Sequence, residues 1–218
     1  MVKLLIFDAD GTLFDTDEII FKTWKELFSL YKPKDTFIDR EFTRSFSGPP
    51  LSESIKKVFS EYPLDFMIKE YTDRTKKYYA SDLKVFDHVV EVLQKLKEKG
   101  YILTILTSKN RERTLETLKI TKSSELFSSV VTSSDGIKEK PNPDGILYLL
   151  KKYNLKIDEA IMIGDTFSDA QAAKNAKIDV ILMTMCKRSF PKDPSPLFYA
   201  SNFDELYKYL LKINDERR

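Results

Sequence analysis

The chain has 218 residues, with 36 Lys and Arg set against 34 Asp and Glu for a formal charge of +2. At roughly 100–200 residues per domain, that is one large domain or a core carrying a modest insert. Hydrophobic residues at 42% and charged residues at 32% exclude a disordered chain, and the near-neutral balance leaves no overall electrostatic footprint for nucleic acid. No apolar run approaches the ~18 residues of a membrane span. The opening run 2–7 is too short, and too soon followed by Asp8, to be a signal peptide. The single cysteine, Cys186, excludes an internal disulfide and fits a reducing compartment, so the expected setting is cytoplasmic.

In chain order, short apolar runs predict buried strands over 3–7, 102–106, 129–132, 160–163 and 180–183. Helically spaced segments separate the last four. Strand alternating with helix implies parallel pairing, so the fold class is α/β: a doubly wound, Rossmann-like, five-stranded parallel sheet. The stretch 15–84 breaks that rhythm. It shows no strand pattern, only amphipathic helices expected over 19–31, 40–47, 51–60 and 64–80, punctuated by Pro33, Gly48-Pro49-Pro50 and Pro63. A structureless loop of that length is improbable, so residues 15–84 are read as a helical insert, with 1–14 and 85–218 forming the core. Aromatics such as Phe21, Trp24, Phe28, Phe66, Tyr78 and Tyr79 are assigned to the insert's own packing.

The first strand ends in Phe7-Asp8-Ala9-Asp10-Gly11-Thr12-Leu13. In extended geometry Asp8 and Asp10 share a face, and Gly11 permits a sharp turn there. The second core strand ends in Leu106-Thr107-Ser108-Lys109-Asn110, where a hydroxyl and free backbone N–H groups can grip phosphate oxygens; a plain helix cap by Thr107 or Ser108 is the simpler use. Before the fourth lies Lys138-Glu139-Lys140-Pro141-Asn142-Pro143, whose prolines hold one lysine in place, Lys140 or its competitor Lys138. The fourth ends in Gly164-Asp165-Thr166-Phe167-Ser168-Asp169. Capping by Asp165 or Ser168 accounts for that pair alone, but not for two acidic pairs at the carboxyl edge of one sheet, where ligands bind. Four carboxylates in a dry pocket repel one another unless a cation sits among them. Oxygen ligands without His or Cys favour a hard ion, and Mg²⁺ suits a site that takes substrate phosphate.

Together these segments resemble the haloacid dehalogenase superfamily in its phosphatase branch, with the helical insert similar to the cap of phosphoglycolate phosphatases and β-phosphoglucomutases. The resemblance rests on Asp8 through Leu13, Thr107, Lys140-Pro141 and Gly164 through Asp169, in the family's order. Glu139 and Lys177 stand where the family often has glycine. The resemblance implies a Mg²⁺-dependent phosphatase acting through an aspartyl-phosphate. Asp8 is the implied nucleophile, and Asp10 the group that protonates the leaving oxygen and then deprotonates water. Thr107, the Ser108 amide and Lys140 are implied to bind phosphate together with Asp8 and Asp10. The implied metal ligands are the Asp8 carboxylate, the Asp10 carbonyl and the Asp165 carboxylate, with Asp169 orienting metal waters or Lys140. An acid at position 10 argues for phosphoryl transfer over dehalogenation.

The substrate loop of such caps falls at Arg44, Ser47 and Gly48, where Arg44 could meet a substrate anion. A small phosphorylated metabolite is the expected partner, with no nucleic acid, no membrane, and a monomer or homodimer. A β-phosphoglucomutase-type mutase, a pyrophosphatase and a catalytically silent binding protein are the alternatives; a receiver-type signalling module fits poorly, because the acceptor candidate follows the first strand. His88 is read as a surface residue, Cys186 as packing, and Lys187, Arg188 and Lys192 as a solvated basic loop with room for substrate contact.

Overall fold

A computed structural model describes residues 1–34, 36–46, 49–188, 190 and 192–216. The chain divides into two compact units, 1–14 with 85–218, and 15–84.

The first unit is built on a parallel sheet of six strands: β1 (Leu4–Phe7), β4 (Ile102–Leu106), β5 (Ser129–Val131), β6 (Ala160–Gly164), β7 (Asp179–Met183) and β8 (Phe198–Ala200). Their order is β5-β4-β1-β6-β7-β8. The two-residue strands β2 (Phe14–Asp15) and β3 (Lys84–Val85) stand at the two chain crossings and form a small sheet of their own. Five core strands are expected from sequence; the sixth, β8, is three residues long and follows a proline-broken loop, so it carries no periodic signal. Register is tight at the centre, where Leu4 faces Ile102 on one side and Ala160 on the other, and Phe7 faces Ile105 and Ile163.

Pleating sends Leu4 and Ile6 into a core shared with α7 (Asp144–Tyr153) and α8 (Phe167–Ala176), through Ile146, Leu149, Ala172 and Ala173. Leu5 and Phe7 point the other way and are equally buried. A sheet buried on both faces reads as unbroken apolar runs, which is why β1, β4 and β6 are legible in sequence. The helices α5 (Val89–Glu98), α6 (Arg111–Ile120) and α9 (Phe203–Glu216) complete this unit, with α5 packed on β4 and α9. The strand order reverses at β1, whose neighbours β4 and β6 are reached by opposite excursions of the chain. Ligands bind at such switch points, beyond the carboxyl ends of the strands.

The second unit comprises α1 (Asp17–Tyr31), α2 (Arg40–Arg44), α3 (Leu51–Val58) and α4 (Leu64–Asp82). Its core is aromatic: Trp24 is 1% exposed and stacks on Phe59 at 6.2 Å, with Phe28, Phe46 and Tyr71 around it. Phe66, assigned to this packing from sequence, is 43% exposed, with one edge against Tyr31.

Candidate active site

β1 delivers Asp8 one residue past its end, and the Asp8 N–H still donates to Ile163 O at 2.8 Å, extending the ladder towards β6. The chain then folds back sharply: Leu13 and Phe14 donate to Ala9 O, and Gly11 N–H to Phe14 O. Gly11 has φ +82°, and a Cβ there would lie 2.1 Å from Asp165 Oδ2. A side chain at position 11 would therefore both strain the turn and evict an acidic group of the site.

β6 delivers Asp165, which is fully buried. The helix that follows is capped by Thr166, and not by Asp165 or Ser168. Thr166 and Asp169 make a reciprocal capping box, with Thr166 Oγ1 accepting from Asp169 N–H and Asp169 Oδ2 accepting from Thr166 N–H. Asp169 Oδ2 also accepts from Asp165 N–H at 3.1 Å and the Thr166 hydroxyl at 2.7 Å, and Oδ1 takes the Lys140 ammonium at 2.6 Å. Gly164 allows this closeness, since a Cβ there would lie 2.3 Å from Asp169 Cγ.

Lys140, 4% exposed, bridges Asp169 and Asp8, with Nζ 2.9 Å from Asp8 Oδ1. Its competitor Lys138 is exposed. Carboxylate oxygens of Asp8, Asp165 and Asp169 lie within 4.8 Å of one another. Burial pushes the Asp8 carboxyl up to about 7, against the pull of Lys140 and with Asp169 and Asp165 adding to the rise. Burial likewise raises Asp165 to about 6, with the Arg188 guanidinium opposing it. Burial works to lower Lys140, but Asp169 and Asp8 more than offset it and hold the ammonium above the ordinary lysine range. Carboxylates under this strain gain most from a divalent cation, and an all-oxygen donor set suits a hard one. Asp8 and Asp165 fit as its ligands. Asp169 fits less well, because its oxygens already accept four hydrogen bonds. Asp10, whose carbonyl the resemblance adds to the ligand set, turns its carboxylate to another partner, Lys109 at 3.0 Å.

On β4, Thr107 N–H extends the ladder to Val131 O, and its Oγ1 accepts from Lys109 N–H. The cap of α6 is neither Thr107 nor Ser108 but Asn110, whose side chain accepts from Arg113 N–H. Ser108 Oγ is buried and has no hydrogen-bond partner. Such a group is costly unless a ligand satisfies it, and Leu106, Thr107, Thr132, Ile137 and Lys140 line a small cavity at this edge.

Two residues given no part in the acidic centre from sequence, Arg188 and Thr12, belong to it. The side chain of Arg188, from the loop read as solvated, is only 7% exposed, and its Nε donates to Asp165 Oδ2 at 2.5 Å. Thr12 donates to the other oxygen, Oδ1, at 3.1 Å. Of the substrate-loop candidates, Arg44 lies on α2 and pairs through Nε with Asp17 at 2.8 Å, while Ser47 and Gly48 lie outside the described residues. His88 is exposed and pairs with Asp204; Cys186 is buried, with Sγ 3.5 Å from Gly11 O.

Residues 5–183 match the family model described as haloacid dehalogenase-like hydrolase. The pyrophosphatase PpaX of Listeria monocytogenes serotype 4b is 34% identical over 180 residues, which span 81% of this chain and 80% of that one. PpaX of Bacillus cereus is 29% identical over 98% of both chains. Among solved structures, a haloacid dehalogenase-like hydrolase from Streptococcus pneumoniae superposes with a TM-score of 0.81 at 25% identity, covering 96% of this chain and 98% of that one. With its aspartate-tipped central strands and a family match over most of its length, the chain belongs to the haloacid dehalogenase-like hydrolases.

Proposed function

We propose that this hydrolase is a Mg²⁺-dependent phosphatase that acts on small phosphorylated metabolites through an aspartyl-phosphate at Asp8. The observation that carries this reading is the meeting of Asp8, Asp165, Asp169 and Lys140 at the switch point of the sheet. Asp8 Oδ attacks phosphorus as the bond to the leaving oxygen breaks, and Asp10 supplies that oxygen's proton. Water then attacks the same phosphorus, Asp10 takes its proton, and the Asp8–phosphorus bond breaks to release inorganic phosphate. Asp8, Asp165 and the Asp10 carbonyl would hold Mg²⁺, which, when bound, neutralises Asp8 against the incoming anion and draws charge from the phosphoryl oxygens. Thr107, the Ser108 amide and Lys140 bind those oxygens, and the unpartnered Ser108 hydroxyl is a further donor. Asp169 holds Lys140 in place. The helical unit 15–84 is assigned the role of the cap that selects the substrate.

A second reading of the substrate, inorganic pyrophosphate, is favoured by the names of the PpaX relatives; the same residues serve it, with phosphate as leaving group. The test is phosphate release from p-nitrophenyl phosphate, phosphoglycolate, pyrophosphate, hexose phosphates and nucleoside monophosphates, each with Mg²⁺, with EDTA, and with Asp8→Asn. Release that needs Mg²⁺ and is lost in Asp8→Asn is the expected result, and the preferred compound names the substrate class. No release from any of them, or full release by Asp8→Asn, overturns the proposal.

A further inference from the structure

Each acidic group of the site has its own cation: Lys140 serves Asp8 and Asp169, Arg188 serves Asp165, and Lys109 serves Asp10. The first cation belongs to the motifs already described; the third does not. The Lys109 side chain is only 8% exposed, an expensive position for an ammonium unless it is paired. It is also fixed. Its Nζ donates to Thr117 Oγ1 on α6 at 3.2 Å, its N–H to Thr107 Oγ1 at 3.2 Å, and its carbonyl accepts from Ser133 N–H. From this anchorage Nζ reaches Asp10 Oδ1 at 3.0 Å. Asp10 itself is 28% exposed. A carboxylate so exposed has several rotamers to choose from, and an enclosed ammonium held by Thr117 on a backbone anchored at both its N–H and its carbonyl selects one of them.

We infer that Lys109 is a positioning residue that fixes the Asp10 carboxylate for proton transfer to and from the reacting oxygens. The inference rests on Asp10 being the acid–base group of the proposed function. It gives Lys109 a signature that a phosphate-binding or purely structural lysine lacks. A positioned acid matters for an alkyl leaving group, which departs only when protonated, and little for p-nitrophenolate, which departs as the anion. A residue that merely binds phosphate or holds the fold affects both esters alike.

The experiment compares wild type, Lys109→Met and Lys109→Arg on phosphoglycolate and p-nitrophenyl phosphate. Lys109→Met is expected to lower the ratio of alkyl to aryl turnover by about tenfold, a fraction of the ~10²–10⁴ that a general acid supplies, chiefly in kcat, and Lys109→Arg to recover part of it. An unchanged ratio overturns the inference, whether both rates fall together or neither does. Thermal unfolding of Asp10→Asn, Lys109→Met and the double variant, in EDTA, supplies a readout without turnover. Coupled residues lose less together than the sum of their separate losses, so a double variant whose midpoint drops by the full sum also overturns the inference. If wild type releases phosphate from neither ester, the unfolding cycle alone judges the pairing, and the proposed function falls only if no compound of the panel releases phosphate; if Lys109→Met fails to fold, the ratio measured on Lys109→Arg decides, and one equal to wild type despite a lowered midpoint counts against positioning.

Discussion

Asp169→Asn is the substitution whose effect follows most directly from the geometry. The Asp169 side chain is fully buried, with the Thr166 hydroxyl and N–H and the Asp165 N–H on one oxygen and the Lys140 ammonium at 2.6 Å on the other. An asparagine keeps one acceptor oxygen for the three neutral donors. Its amide nitrogen then faces the ammonium, a donor against a donor, and Lys140 is left with Asp8 alone. Breaking a buried ion pair from one side costs about 3–5 kcal/mol, because the remaining charge stays desolvated. At about 2–4 °C per kcal/mol for a chain of this size, the midpoint of thermal unfolding should fall by roughly 6–20 °C. The assay is a melt in EDTA, so that metal binding does not enter. A midpoint within about 2 °C of wild type would refute the claim that Asp169 organises this centre.

Metal-free stability should depend on pH in an unusual direction. Asp8 and Asp165 bind protons more tightly folded, at about 7 and about 6, than in the unfolded chain, at about 4. Their contribution is therefore favourable at low pH and is lost as pH rises from about 4 towards 7, with a ceiling of about 4 kcal/mol for Asp8; in EDTA the Asp8→Asn curve should decline less steeply, keeping only the Asp165 share, and parallel curves would contradict it. Gly11→Ala should destabilise by more than about 2 kcal/mol, since it adds a left-handed backbone penalty to a Cβ 2.1 Å from Asp165 Oδ2, and urea unfolding measures the loss. Lys177 ends α8 with φ +59°, a conformation that suits glycine. Lys177→Gly should raise the unfolding midpoint by the equivalent of about 0.5–1 kcal/mol, and a lowered midpoint would contradict the capping argument.

The fold class is legible in sequence because a doubly covered parallel sheet needs continuous apolar strands and turns at their carboxyl ends, and β1, β4 and β6 each end in the polar residues quoted from sequence. Short elements escape that logic. β8 has three residues, and the two-residue strands β2 and β3 exist only through their pairing with each other. The acidic residues of the site stand out because they recur at strand ends. Their cations are harder to see. Lys140 stands just before two prolines, whereas Lys109 and Arg188 sit in ordinary polar turns, and nothing local distinguishes an enclosed cation from a solvated one. Arg188 meets Asp165 only once β7 and the loop after it are laid against β6. Helix caps are no easier to read: Thr166, not the alternatives Asp165 or Ser168, has the extended backbone and the reciprocal bond to Asp169 that define the cap.

The most direct test of the central claim is to look for phosphate on Asp8 itself. The protein would be mixed with Mg²⁺ and its best phosphorylated substrate, quenched in acid within the first turnovers, digested, and read by mass spectrometry. The account predicts one added phosphoryl group on the peptide that contains Asp8, absent in Asp8→Asn and absent when Mg²⁺ is withheld. Sustained phosphate release with no phosphoryl group on Asp8 at any quench time, and with activity retained in Asp8→Asn, would contradict it.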